Sequence, residues 1–453
     1  MSCNDVDCAK TAWLGAEAPR YTSYPSAHHF SAQTTEATYR RWLSGIKQND
    51  TVSLYVHIPF CREMCWFCGC HTKATRRYEP VAGYVRTLLA ELALLKSALG
   101  GRGRLVNIHF GGGSPSLLAP DDLTSILDSV ASTFATRTPG ECAIELDPRT
   151  ATPKNIAYYA ELGFNRVSIG IQDFDPEVQH AINRIQSYAM VSSVMQRIGK
   201  AGIHDINCDL VYGLPHQTRE RFRDTLEKTL ALAPSRIALF SYAHMPQLKK
   251  HQQLINEAWL PSETDKLALY SLAHGMLTAN GYVAIGIDHF ARADDALAKA
   301  ARRHTLKRNF QGYVTDATDV LIGIGSSAIS QLPQGYAQNS AKTSDYMAMV
   351  GAGKLPTTRG WTMTDDDRLR KAIIDELMCY LRADITKIAT RFGAHPSYLR
   401  DALDALGALE AMGIVRVNGD VVEVVGPYRM AARVVAAAFD PYRAAAGRYS
   451  KVA

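Results

Sequence analysis

The residues predict an α/β fold, on three observations. Apolar, strand-like runs alternate with amphipathic helical stretches from Ser53 to Tyr242. The polar residues with chemical potential stand at the ends of those runs. After about Gly360 the alternation gives way to helix-rich segments. Repeated β–α units with apolar strands indicate a parallel sheet covered by helices, either a barrel or a doubly wound sheet. In barrels of this kind chemistry gathers at the C-terminal ends of the strands.

The elements follow in order. Residues 1–34 carry little periodicity, and PRYTSYPSAHHF reads as an extended, proline-punctuated arm. SLYVHI is a strand that delivers a cysteine-rich loop. A helix follows, with Val81, Val85, Leu88, Leu92, Leu95 and Leu99 at helical spacing and Gly100-Gly101 as its stop. RLVNIHF is the next strand, broken by Gly111-Gly112-Gly113-Ser114-Pro115. The helix after it shows Leu123, Leu127, Val130 and Phe134 on one face. ECAIEL, RVSIGI, DINCDLVYG and RIALFSY read as further strands. Thr152, Asp175 and Thr218 sit where N-caps belong. GYVAIGI and DVLIGIG look like two more strands. Beyond residue 360, RLRKAIIDELMCYL and SYLRDALDALGALEAMGIV read as amphipathic helices, and VRVNGDVVEVV as two short strands around Asn418-Gly419.

Composition narrows the class. With 453 residues, 47% of them hydrophobic, the chain can bury one large domain and a smaller one. No apolar run approaches the roughly eighteen residues needed to span a bilayer. The N-terminus lacks the charged-then-apolar pattern of an export signal, so a cytoplasmic protein is expected. A net charge of +6 permits an anionic substrate or an acidic partner but by itself decides nothing.

The chemistry centres on IPFCREMCWFCGCHTK, residues 58–73. Cys61, Cys65 and Cys68 form a C-x3-C-x2-C array with Cys70 two residues on, so four of the nine cysteines lie within one loop. Close thiolates repel one another unless a cation or cluster holds them. Structural zinc usually takes two ligand pairs a dozen or more residues apart, and here only Cys70 or His71 could complete a set. Disulfides belong to oxidising compartments. Iron–sulfur clusters, by contrast, are held by thiolates from short loops. Both the cluster and the zinc reading stay open on spacing alone. Cys3 and Cys8, in the N-terminal stretch, read as ordinary thiols.

With YVHIPFC ahead of it, this array resembles the signature of the radical S-adenosylmethionine (SAM) enzymes. The extended CxxxCxFCGC form, with Tyr55 six residues ahead of Cys61, resembles within them the oxygen-independent coproporphyrinogen III oxidases, from PRYTSYP at 19–25 to FDPYR at 439–443. The resemblance implies a partial (β/α)6 barrel at 35–360 with its cluster loop at 58–73. It also implies an N-terminal arm over the active site at 1–34, and a mainly helical accessory domain at 361–453. It implies a 4Fe–4S cluster on Cys61, Cys65 and Cys68 and two SAM molecules, one of them bound to the open iron and cleaved to a 5′-deoxyadenosyl radical. The substrate would be coproporphyrinogen III, the electron donor a flavodoxin or ferredoxin, and the protein a monomer without nucleic-acid or membrane partners.

The same likeness carries over site residues. Tyr55, Gly112, Glu145 and Ile329 would serve the cluster-bound SAM. Phe67, Gly113, Ser114, Gln172, Arg184, Asp209 and Ala243 would surround the second. Ser114 stands where the family usually shows Thr, and Trp66 where tyrosine is common. No catalytic side chain is expected beyond the cluster and SAM themselves. Read for itself, Asp209 interrupts an apolar strand and must have a partner, for which Arg184 is a candidate. His289, Arg292, Lys307 and Arg308 are candidates to hold substrate carboxylates, or solvated surface groups. Two rivals remain at this stage: a haem-binding chaperone of the same superfamily, against which Cys70 and the PRYTSYP arm speak, and a zinc-stabilised nucleic-acid-binding protein.

Overall fold

The protein is described by a computed structural model covering residues 12–134, 139–315, 318, 320–443 and 449–452, so Cys3 and Cys8 lie outside the described residues. The β–α series supplies β1 (Thr51–Ile58), the two-residue strands β2 (Phe60–Cys61) and β3 (Lys73–Ala74), and then β4 (Arg104–Gly112), β5 (Glu141–Leu146), β6 (Arg166–Gln172), β7 (Asp205–Tyr212) and β8 (Arg236–Ser241). Strands β1, β4, β5, β6, β7 and β8 are parallel neighbours in that order. They are the six expected. β1 is buried on both faces: Val52, Leu54, Val56 and Ile58 are fully covered, and Ser53 and His57 are nearly so, as a strand in a helix-covered parallel sheet must be.

The remaining strands are β9 (Tyr282–Ile285), β10 (His289–Arg292), β11 (Lys307–Asn309), β12 (Gly312–Val314), β13 (Val320–Ile324), β14 (Ile329–Leu332), β15 (Gly335–Asn339) and β16 (Thr357–Thr362). The two C-terminal runs foreseen as plain strands take different roles. β13 lies parallel beside β1, a seventh parallel strand. β9 is an antiparallel edge reached through β10. The sheet runs β16-β15-β14-β13-β1-β4-β5-β6-β7-β8-β10-β9, and its ends do not pair, so it is open and no closed barrel forms.

Local chemistry sets the helix ends. Thr152, Asp175 and Thr218 each accept first-turn amide hydrogens at the starts of helices Pro153–Glu161, Pro176–Ala181 and Arg219–Ala231, worth about 1 kcal/mol apiece. Helix Glu79–Leu99 buries every residue named from its periodicity and ends at Gly100 with φ 57°. The same helix buries a carboxylate. Glu91 accepts from Gly325 N, Asn339 Nδ2 and Tyr346 OH, tying the helix to the β13–β14 turn and to β15. Burial lifts its pKa to about 7.

The N-terminal arm bridges the two flanks of the open sheet. Arg20 donates to the Ser241 carbonyl at the end of β8, Tyr336 of β15 donates to the Tyr24 carbonyl, and Ser31 pairs with Gly360 of β16. Beyond residue 360, β17 (Arg382–Asp384), β18 (Val415–Asn418) and β19 (Val421–Val424) form a sheet in the order β17-β19-β18. The expected pair of strands is therefore three. Among the described residues no helix is long and apolar enough to cross a membrane.

Candidate active site

The loop between β2 and β3 is closed at its base by their parallel pairing and by Lys73 N donating to Pro59 O and Thr75 N to Cys61 O. Its carbonyls are then taken up from a distance. His251 Nε2 donates to Cys68 O at 2.7 Å, Lys249 Nζ to Cys70 O at 3.0 Å and Gln252 Nε2 to Phe67 O at 3.1 Å. Asn183 Nδ2 donates to Met64 O. A loop rich in thiols is thus held in one shape by neighbours far off in sequence.

Cys61, Cys65, Cys68 and Cys70 face one cavity of about 160 Å³, shared with Phe67, Gly112, Gly113, Ser114, Glu145, Gln172, Arg184 and Asp209. The sulfurs have guanidinium and hydroxyl neighbours, although burial pushes the Cys61 thiol up. Cys65 Sγ lies 3.5 Å from both Arg149 Nη2 and Arg184 Nη1, and Cys61 Sγ lies 3.2 Å from Thr72 Oγ1 and 3.6 Å from Ser114 Oγ. Among the described residues no three ligating side chains close on a single metal-ion position. Cys61, Cys65 and Cys68 face one cavity and suit a group held at its corners. Three thiols with donors at their backs fit an iron–sulfur cluster.

The glycine turn lets the backbone approach. A Cβ on Gly112, where φ is 112°, would stand 2.5 Å from His57, and one on Gly113 would stand 2.5 Å from Phe60 O. Only glycine fits either place. Gly112 N donates to Glu145 Oε2 at 3.0 Å, and His109 Nε2 lies 3.1 Å from Glu145 Oε1. Below them burial pushes the His57 pKa down to about 4, so the ring is neutral. Its Nε2 donates to the His71 carbonyl at 2.9 Å, which leaves Nδ1 to accept from Tyr55 OH at 3.1 Å. Tyr55 therefore supports the cluster loop through His57.

At the ends of β5, β6 and β7 the charges are arranged differently from the sequence expectation. Arg184 does not partner Asp209. It binds Asp147 at 3.3 Å and donates to Gly170 O at 2.6 Å, while Arg149 grips the same Asp147 at 2.6 Å. Burial raises the Asp147 pKa, but Arg184 and Arg149 outweigh it and hold the group below the ordinary carboxylate value. Asp209 instead accepts from Ser168 Oγ at 3.1 Å and Asn207 Nδ2 at 2.8 Å. Burial, with Glu145 nearby, raises it to about 6. Gln172 ends β6 in the left-handed region, φ 68°, after a register shift. Such strain in a non-glycine residue belongs at a site that uses it.

Three carried-over residues stand back from the cavity lining. Tyr55 lies beneath it, beside Glu145. Ala243 gives its carbonyl to Gln252, which also binds Phe67 O. Ile329 opens β14 and packs with Phe30, Tyr336 and Phe310. Of the four carboxylate-seat candidates, Arg292 lies beside the start of β8, at the far end from the cluster loop. Lys307 is exposed on β11, Arg308 is buried beside Asp288, and His289 binds Asp288 at 2.7 Å. Arg149, Thr72, His251 and Gln252 are functional neighbours that the sequence reading did not name. Only Arg149 had a signal, two residues after Asp147 at the same strand end.

The radical SAM superfamily model matches residues 55–229, from Tyr55 in β1 to the helix Arg219–Ala231 that precedes β8. The fold and the three-thiol cavity thus define a radical SAM protein, a class whose chemistry implies a 4Fe–4S cluster and SAM. The chain is 46% identical to the oxygen-independent coproporphyrinogen III oxidase of Bradyrhizobium diazoefficiens over 94% of each chain. It is 40% identical to that of Paracoccus denitrificans over 96% of each. The coproporphyrinogen III oxidase of Escherichia coli, described as a radical SAM enzyme, superposes with a TM-score of 0.89 and 36% identity, covering 93% of this chain and 97% of that one. The chain belongs to the oxygen-independent coproporphyrinogen III oxidase family.

Proposed function

We propose that this chain oxidatively decarboxylates two propionate side chains of coproporphyrinogen III, without oxygen, to give protoporphyrinogen IX. Each propionate loses a β-hydrogen atom, carbon dioxide and one electron to an external acceptor, leaving a vinyl group. The observation that carries the reading is the single cavity joining Cys61, Cys65 and Cys68 to Gly112–Ser114, Glu145, Gln172, Arg184 and Asp209, in a chain matched end to end by oxidases. The relatives bear the oxidase name, not that of a haem escort.

When bound, the cluster and SAM supply a 5′-deoxyadenosyl radical able to take hydrogen from an unactivated carbon, which no side chain of this protein can do. The chain's own residues bind and position. Cys61, Cys65 and Cys68 are the cluster ligands, with Arg149 Nη2 and Arg184 Nη1 each 3.5 Å from the Cys65 sulfur. Gly112 and Gly113 bring backbone close to the methionine portion of SAM. Glu145 accepts from Gly112 N and lies 3.1 Å from His109 Nε2, and Asp209 accepts from Ser168 Oγ and Asn207 Nδ2. Both remain acceptors for ammonium and ribose hydroxyl groups. These two acceptors, on β5 and β7, together with the family likeness support two SAM sites: one at Tyr55, Gly112, Glu145 and Ile329, the other at Phe67, Gly113, Ser114, Gln172, Arg184, Asp209 and Ala243. The N-terminal arm over the opening, a cytoplasmic monomer and a flavodoxin- or ferredoxin-type donor belong to the same reading and rest on the family likeness.

The test is anaerobic. Reconstituted protein is given reductant, SAM and coproporphyrinogen III. Vinyl-bearing product with 5′-deoxyadenosine is expected. Deoxyadenosine without product would keep the radical chemistry and reopen the substrate; neither, with zinc in place of iron, would overturn the reading.

A further inference from the structure

Where the arm meets the end of β8, positive charge exceeds negative. Arg20, Arg308 and Arg433 gather about the carboxylate of Asp288, the one that acts on all three among the described residues. Arg433 is spent: it donates to the carbonyls of Ala18, Pro19, Lys451 and Val452 and so fixes the arm's backbone. Arg308 has its side chain 3% exposed, lies 3.6 Å from Asp288 and donates to the Arg20 carbonyl. Its Nε and Nη1 are buried and have no partner. Arg20 differs from both. It is an exposed residue set in a cleft, and among the described residues its guanidinium makes one hydrogen bond, from Nη2 to Ser241 O at 2.9 Å. Ser241 is the last residue of β8, at the C-terminal end where the site lies, and Phe240 before it lines both the cleft beside Arg20 and the large cavity under Asp209. The protein around Arg20 lowers its pKa through burial, and Arg308 adds to this against Asp288. A cation so placed gains from a second anion.

We propose that Arg20, backed by Arg308, is a seat for one carboxylate of the tetrapyrrole substrate. The inference rests on the reading above and deepens it. The ligand chemistry follows from the groups. A guanidinium with a free edge accepts a carboxylate in paired hydrogen bonds. The backbone carrying it is pinned by Arg433 and Arg308, so little ordering is left for binding to cost. Arg292, at the opposite end of the strands, cannot share this task.

The experiment measures equilibrium binding of coproporphyrin III, the stable oxidised analogue, by quenching of tryptophan fluorescence in the reconstituted protein, alongside its tetramethyl ester. For Arg20→Gln the dissociation constant of the acid should rise roughly 10- to 100-fold, the worth of one charge-assisted contact, while that of the ester stays where it is. Acid and ester weakening together would mean that Arg20 only anchors the arm, and would overturn the proposal. So would unchanged affinity for the acid in a protein whose wild type forms vinyl product. Wild-type protein that neither binds coproporphyrin nor forms product would bring down the functional reading first and this seat with it.

Discussion

The two ends of the parallel strands handle buried charge in opposite ways. At the N-terminal ends, each cation has a carboxylate of its own: Arg166 binds Glu141 at 2.8 Å and Asp205 at 3.3 Å, and Arg236 binds Asp295 at 2.9 Å. At the C-terminal ends, Asp147 takes both nearby arginines, and Glu145 and Asp209 are left with an imidazole, a backbone amide, a hydroxyl and an amide. Arg166 Nη1 and Arg236 Nη2 are buried without a partner, but each guanidinium has its charge matched. Asp209, held by a hydroxyl and an amide, is raised to about 6 by burial and by Glu145 nearby, at a cost in stability once it is charged. The lower end is built to hold and the upper end to receive.

Breaking the upper end should abolish function and spare the fold. Cys61→Ser, Cys65→Ser or Cys68→Ser is expected to lose the cluster and about 1,000-fold or more of product formation, since the hard step belongs to the cofactor. Iron content and the visible spectrum check it, with circular dichroism unchanged. Breaking the lower end should do the reverse. Arg236→Met strands Asp295 uncompensated in the interior, and such removals cost ~3–5 kcal/mol. Denaturation would show the loss, while the folded fraction keeps its SAM affinity. A matching loss of SAM affinity would erase the distinction between the ends.

Asp209→Asn sharpens the comparison further. Its folded pKa, about 6, lies above the ordinary carboxylate value. Between those values the native state binds more protons than the unfolded state, so stability falls as pH rises through this range. The contribution is complete in acid and gone above about pH 6. Asparagine removes the penalty and can still meet Ser168 and Asn207. The variant should therefore be more stable than wild type at pH 7.5 by ~1–2 kcal/mol, discounted for the partial exposure of the site, with the gap closing towards pH 4. Its SAM affinity should fall about tenfold, the worth of a hydrogen bond to a charged group.

How far the residues announced this arrangement depends on distance along the chain. The thiol array was legible because its meaning lies in spacing within one loop. The helix Glu79–Leu99 was legible because periodicity and a glycine stop act locally. The partner of Asp209 was not. Arg184 and Asp209 belong to neighbouring segments, and only the strand register, with its shift between Gly170 and Gln172, decides that Arg184 turns to Asp147 instead. His251 and Gln252 support the cluster loop from more than 180 residues away, and no local pattern marks them. β17 escaped notice because three residues are too few to show alternation.

The smallest expected effect tests whether the region after residue 360 stands apart from both ends. Helix Asp365–Tyr380 opens with a capping box: Asp367 N donates to Thr364 Oγ1 at 3.1 Å, and Thr364 N donates to Asp367 Oδ2 at 2.9 Å. Thr364→Ala removes one half of it. Asp367, fully buried, keeps the indole of Trp361 and the hydroxyl of Tyr442 as donors, so no buried charge is stranded. The loss should be that of an N-cap alone, ~1 kcal/mol, read as a small shift in denaturation midpoint. Iron content and the KM for coproporphyrinogen III should not move. A raised KM would mean that this helix transmits to the cleft, since Trp361 lies in β16 beside β15 and the Tyr442 ring lies 6.2 Å from that of Tyr24 in the arm. The division between holding and receiving would then run through the C-terminal segment as well as along the strands.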